Sequence, residues 1–401
     1  MTTRKLLSAL LVIAMLTATL SFGAKAVSSN DQIVTNQQII QAAQALINAE
    51  AQYYDISSVA VHDIIEMPQA DGTTNLQCNL AFHVRLKAKS VEELPYVAGL
   101  LNGIGMTSLN ECLALEEAAS QAVTRTTAIG GIGYIDESAV IASRASTFIS
   151  SVAENIGVEN EIYFPVLLKV SASGTINNIW GYQAGCTFPL SDYFPGSAAQ
   201  LYQNGNCHAA AIVANAGSIA NEINAVTMIL YYRVDARNYA NRYTSNATTC
   251  YGGSRYPMDP TYYNPNYTFH VGKDCANFVS QAIHYGGIPK TATWTPGASA
   301  WSVVGSLVDY FASTSPMIYE ANFDTCVAGG FIVTVGSGGS REHVVMCVQN
   351  DTVTHCYSAH TQDVLKAVYT SSYPGKEGKS AKYYNFVYTT TETQYADGRL
   401  D

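Results

Sequence analysis

Two hydrophobic periods divide this chain, one near 3.6 residues and one of two, and each switch between them marks a change of element. Ile39, Ile40, Ala43, Leu46 and Ile47 keep the longer period and predict a helix over 31–53. Leu80, Phe82, Val84 and Leu86 alternate with Ala81, His83, Arg85 and Lys87, so 76–86 reads as a strand with one buried face, and 57–66 as another. Residues 92–124 are helical in pattern with a break over 103–108, and a helix over 138–156 precedes strands over 161–171 and 177–188. Helix followed by strands thus occurs twice, which suggests two small α+β units, although no residues repeat between them.

Near residue 232 the texture changes from Ala, Ile, Val and Asn to Tyr, Gly, Pro and Trp. Asp235 opens a helix to Tyr243 with Ala236, Tyr239 and Ala240 on one face, and a polar, Tyr-rich loop follows over 244–271. A helix begins at Cys275, where Phe278, Val279 and Ala282 fall at i+3, i+4 and i+7, and Gly286-Gly287 supplies its stop. A helix over 302–311 and strands over 331–335, 342–348, 352–360 and 382–389 complete the pattern. A length of 401 residues with one change of composition predicts two domains, 27–231 as an accessory α+β region and 232–401 as a second unit.

The first 26 residues stand apart. Arg4 and Lys5 precede an apolar run from Leu6 to Phe22, and Ala24-Lys25-Ala26 has the small-x-small form cut by signal peptidase. The run predicts export without a retained membrane anchor, hence a secreted protein that can associate with the cell wall. Removing its three basic residues moves the formal charge from -10 to -13, and no Lys/Arg cluster remains to neutralise phosphates, which excludes nucleic acid as a partner. Nine cysteines remain, an odd number, so at least one thiol is unpaired within a single chain. Cys78 with Cys112, or Cys186 with Cys207, could bridge locally.

Cys275 is the thiol with the most favourable address. Unpaired N–H groups and the positive end of the helix dipole stabilise a thiolate at a helix start, where cysteine pKa values fall to about 3.5–7.5. His343 opens an apolar strand 68 residues later and can move the proton. His355 and His360 could orient it; they differ by five residues, so in a regular strand only one would reach. The Cys275 backbone N–H, with a polar side chain such as Asn266, Thr268 or His270, would supply the oxyanion donors. His343, His355, His360 and Asp363 also invite a metal reading, but no HExxH run or short-spaced helical pair supports one, and no metal or cofactor is expected.

The run Tyr232-Arg233, Ala236, Tyr239-Ala240, Asn264-Pro265-Asn266-Tyr267, Asp274-Cys275-Ala276-Asn277-Phe278-Val279-Ser280-Gln281, Gly286-Gly287, Trp294 and Trp301 resembles the putative amidase domain of exported proteins from Gram-positive, spore-forming bacteria. That family is similar to the papain-like thiol hydrolases of CHAP and NlpC type, which cut amide bonds in bacterial wall peptides. The resemblance covers about two-fifths of the chain. It implies an α+β fold with a Cys-bearing helix on an antiparallel sheet, Cys275 as nucleophile and His343 as base and acid. It further implies His360 as third residue, with His355 the alternative, and it places Asp274, Asn277, Trp294 and Trp301 at the substrate. Peptidoglycan or a peptide is the implied substrate; a wall glycan- or peptide-binding module with an inert Cys275 is the competing function. One departure stands out: Gly329-Gly330 occupies the place where those domains carry Gly-Asp.

Overall fold

The computed structural model describes residues 25–26, 33–128, 137–183, 185–223, 229–314, 317–371, 379–387 and 389–390. The expected leader lies outside them except for strand β1 (Lys25–Ala26), which pairs with the next strand at Glu66 and Ile65. Among the described residues no helix is long and apolar enough to cross a membrane.

The predicted first helix divides at Ala43 into α1 (Asn36–Ala42) and α2 (Gln44–Glu50). Thr35 caps α1 through a reciprocal box with Gln38, which satisfies two N–H groups at its start. Strands β2 (Tyr54–Pro68) and β3 (Thr74–Leu86) form a long antiparallel hairpin. Helices α3 (Pro95–Gly103), α4 (Leu109–Ala128) and α5 (Glu137–Ala153) follow. Strands β4 (Glu159–Val170), β5 (Ile176–Gln183) and β6 (Cys186–Pro189) come next; the last two stand where the alternation suggested one strand. Helix α6 (Ala198–Ile223) was not foreseen from the sequence. It crosses α3 so closely that a Cβ on Gly99 would lie 2.0 Å from the Tyr202 carbonyl oxygen, so glycine is needed there.

The second half holds β7 (Tyr231–Tyr232), α7 (Arg233–Arg242), α8 (Cys275–Tyr285), α9 (Ser299–Ser302) and α10 (Val304–Asp309). Its strands are β8 (Ile318–Ala321), β9 (Phe331–Val335), β10 (Arg341–Asn350), β11 (His355–Ala359), β12 (Val364–Val368), β13 (Ser380–Phe386) and β14 (Thr389–Thr390). Strands β8 to β13 run antiparallel in the order β12-β11-β10-β9-β13-β8, β14 pairs in parallel with β7, and α8 packs on β10 beside α7. Phe278, Val279, Ala282 and Ile283 of α8 share a core with Val344, Met346 and Val348 of β10.

Among the described residues the two halves are joined through their sheets. One twelve-stranded sheet runs through both, because β12 pairs in parallel with β4 at Ala367 and Tyr163. Gln183 donates to the Val368 carbonyl, and the Tyr54 hydroxyl donates to Asp351 at 2.7 Å. Arg233, 1% exposed, is paired with Glu154, the residue that follows α5, which also holds Arg237 at 2.8 Å. A buried guanidinium must have such a partner, since leaving it unpaired costs several kcal/mol. The accessory region therefore shares core, sheet and buried ions with the Cys275-bearing half.

Candidate active site

Cys275 stands at the first position of α8, buried, and Gly286 with Gly287 at φ +96° ends that helix where the sequence put its stop. Asp274 stands at the N-cap position of α8, but its side chain does not cap the helix. Its carboxylate turns sideways and accepts from the His270 N–H at 2.8 Å, the Asn277 side-chain amide at 2.9 Å and His360 Nδ1 at 2.7 Å. Asn277 Oδ1 in turn accepts from Trp301 Nε1 at 2.8 Å. Asp274, Asn277, Trp294 and Trp301 are all buried, the two indoles completely, and their ring centroids lie 4.8 Å apart. The four side chains expected at the substrate are packed beneath the helix start, where they form its polar and aromatic base.

His360 has no nitrogen left for His343. Its Nδ1 faces Asp274 and its Nε2 the Tyr243 carbonyl at 2.6 Å, while the ring is stacked between Tyr263 and Phe278 at 3.7 and 4.0 Å. His355 packs on Phe323 at 4.2 Å, its buried Nε2 lacks a partner, and burial pushes its pKa down to about 3. Neither histidine orients His343 in this arrangement. The sequence cluster of possible metal ligands is likewise dispersed: Asp363 accepts from the Tyr263 hydroxyl and the Asp259 N–H. Among the described residues no group of three or more His, Cys, Asp or Glu could hold a metal.

Cys275 and His343 open onto one cavity. Both line a groove of about 660 Å³, with Val345, Tyr357 and Ala359 also on the sheet side and Phe188 of β6 contributed by the first half. The backbone N–H groups of Val344, the residue after His343, and of Ala276 lie near enough to the Cys275 sulfur to favour its thiolate. His343 is half-buried, and its Cα partner on β9 is Thr334, which also lines the groove.

Thr361, which with His360 matches the amidase-family pattern, is the part of the site to which the sequence assigned no role. Its Oγ accepts the N–H groups of Asp274 at 2.7 Å and Cys275 at 3.1 Å, so it, rather than Asp274, caps the helix start. The Cys275 N–H is therefore already engaged and is not the open oxyanion donor expected above. A hydroxyl has two acceptor lone pairs and one proton. With both lone pairs filled, the Thr361 proton is available to the Cys275 sulfur, which it favours as thiolate. Thr361 adopts φ +84°, rare for a β-branched residue and absent as a signal in sequence.

The electrostatics differ from the expected preformed thiolate. Burial, aided by the Asp274 charge, raises the Cys275 pKa despite the two N–H groups and the hydroxyl. Burial and the Lys379 ammonium push His343 down to about 4. At neutral pH the resting pair is thus a thiol beside a neutral imidazole. None of the nine cysteines is in a disulfide; the buried Cys347 thiol donates to the Cys326 carbonyl at 3.7 Å.

Residues 230–386 match the model of the putative amidase domain family. Amide hydrolysis is the activity that the amidase family's description carries, and the match spans both Cys275 and His343. The departure from its Gly-Asp pattern has a steric counterpart: a Cβ on Gly330 would lie 2.7 Å from Asn385 Oδ1 and from the Tyr384 carbonyl oxygen. Asn385 uses that space to bond Val327 N–H and the Thr325 carbonyl. A stretch of 95 residues is 32% identical to the uncharacterized protein YjcM of Bacillus subtilis (strain 168). That stretch covers 21% of this chain and 22% of the relative's length. No solved structure matches the chain.

Proposed function

We propose that this protein is a secreted, papain-like cysteine amidohydrolase that cleaves amide bonds in cell-wall peptides, with Cys275 as nucleophile and His343 as base and acid. The observation that carries the proposal is that both side chains line one groove while the β10 N–H next to His343 lies near enough to the Cys275 sulfur to favour its thiolate. The amidase family match supports the reaction class.

Because the resting pair is neutral, the proton moves during attack rather than before it. His343 takes the thiol proton as the sulfur adds to the substrate carbonyl, and the imidazolium then protonates the departing amine. Water, deprotonated by His343, adds to the thioester and releases the acid and the free thiol. Thr361 holds the sulfur in line through its hydroxyl, and the Asp274 network fixes the helix that carries it.

Purified cell wall digested with the wild type, Cys275→Ala and His343→Ala, with released muropeptides read by mass spectrometry, tests the proposal. Products released by the wild type and lost in both variants are expected. Equal products from wild type and Cys275→Ala, or none from any of the three, would refute cleavage of wall peptides by this thiol.

A further inference from the structure

The chain is acidic overall, with a formal charge of -10, yet the groove is bordered by Arg255, Lys273, Arg341 and Lys379 against the single carboxylate of Glu342. Two of these cations are accounted for locally. Arg341 is bound to Asp309 at 2.5 Å and to the Gly305 carbonyl at 3.0 Å, and Lys379 is 3.4 Å from Glu342. The other two are not. Among the described residues neither Lys273 nor Arg255 has a carboxylate within ion-pair distance; Arg255 lies over the Tyr256 ring at 4.8 Å. Lys273 is two residues before the nucleophile, and a Cβ on the preceding Gly272 would lie 3.5 Å from the side-chain oxygen of Ser254, the neighbour of Arg255, so the two cations belong to adjoining stretches of the groove wall.

Like charges gathered beside an apolar cleft repel one another, and the cleft concentrates their field toward whatever enters it. An acidic chain that leaves two cations unanswered beside a thiol has placed a local field of opposite sign to its own net charge. The gathering is answered when a ligand supplies the missing anion.

We propose that Lys273 and Arg255 form an anion subsite, and that the amide cleaved at Cys275 belongs to a substrate with a free carboxylate on the side facing these two residues. The inference rests on the amidase reading of the groove and narrows it to acidic peptides and N-acyl amino acids. It also gives the Tyr-rich loop between α7 and α8, which carries Arg255 and Lys273, a part in substrate choice.

A matched pair of reagents tests the subsite without a known substrate. Iodoacetate is anionic and iodoacetamide its neutral counterpart, and both alkylate Cys275 by displacement of iodide. The full chain is labelled with each, and the rate at Cys275 is followed by peptide mass spectrometry, with exposed Cys207 on α6 as internal reference. The iodoacetate-to-iodoacetamide rate ratio at Cys275 is expected to exceed that at Cys207 by about tenfold at low salt and to shrink as salt is added. Lys273→Gln with Arg255→Gln is expected to bring it down to the Cys207 value. Equal ratios at the two cysteines, or a Cys275 ratio that the double substitution leaves unchanged, overturns the subsite.

A thiol inert to both reagents would count against Cys275 as nucleophile, and a second measurement then still decides the charge proposal. N-acetylglutamate should raise the Tm of the wild type more than the amide N-acetylglutamine does, and the difference should vanish in the double variant. No difference in the wild type overturns the subsite independently of any catalysis.

Discussion

Replacing Thr361 by valine keeps the shape of the side chain and its backbone demand at φ +84° while deleting the one oxygen that serves three groups. Two consequences can be worked from the structure. The N–H groups of Asp274 and Cys275, now at 2.7 and 3.1 Å from that oxygen, lose their acceptor in a buried setting. Each unsatisfied donor costs about 1–3 kcal/mol, and since the groove lets some water approach, a loss of about 2–4 kcal/mol for the pair is expected. The sulfur loses its hydroxyl donor too. A hydrogen bond to a charged group contributes roughly 1.5–3 kcal/mol, so losing it should raise the Cys275 pKa further and lower the thiolate fraction at a given pH. Thr361→Ser keeps the oxygen and should stay near the wild type on both counts. The assay is the pH profile of Cys275 alkylation by iodoacetamide, resolved from the other eight thiols by peptide mass spectrometry, beside thermal unfolding of each variant. If serine and valine give superimposable pH profiles, the hydroxyl does not act on the sulfur and the assignment fails.

Glu154→Gln leaves the buried Arg233 guanidinium without its carboxylate and should destabilise the protein by about 3–5 kcal/mol, read as a lowered denaturation midpoint; a change below about 1 kcal/mol would mean the pair is dispensable. Burial first, and for Glu50 the nearby Asp351 charge as well, raise both carboxyl pKa values in the native state. A raised native pKa means that the stability they contribute is full below the ordinary carboxylate range and is lost as pH climbs through the raised values. Glu50→Gln should therefore flatten the fall of Tm with rising pH, and an unchanged slope would refute the assignment. Residues 232–401 expressed alone lose the Glu154 partner, the β4 neighbour of β12 and the Gln183 bond, and should lack the near-ultraviolet circular dichroism of packed aromatic residues. A fragment with cooperative unfolding would show instead that the second half is self-sufficient.

Much of the element pattern was legible because it depends on local periodicity. The Cys275 helix, its glycine stop and the β9–β11 strands were read from apolar spacing and turn residues alone, and the structure places them within a few residues. The position of helix α6 is set by tertiary packing: Gly99 and Gly103 of α3 and Gly205 of α6 let the two helices approach where a Cβ would clash, which no local pattern displays. Strand β12 escaped because five residues carry little pattern by themselves.

Of the candidate site, the sequence by itself determined that a cysteine opens a helix and that a histidine lies on a strand early in an antiparallel run. Residue type, capping preference and periodicity are properties of a short segment, and a short segment displays them. What the two tryptophans, Asn277, Asp274 and His360 do was decided only by packing, because the same polar tip can meet substrate or a buried neighbour. The state of the thiol was also a tertiary matter. A helix start lowers a cysteine pKa and burial raises it, and which prevails depends on atoms brought in from β10, Ala276 and Thr361. The sharing of one sheet by both halves was settled in the same way, by a strand pairing across about two hundred residues that no local pattern encodes.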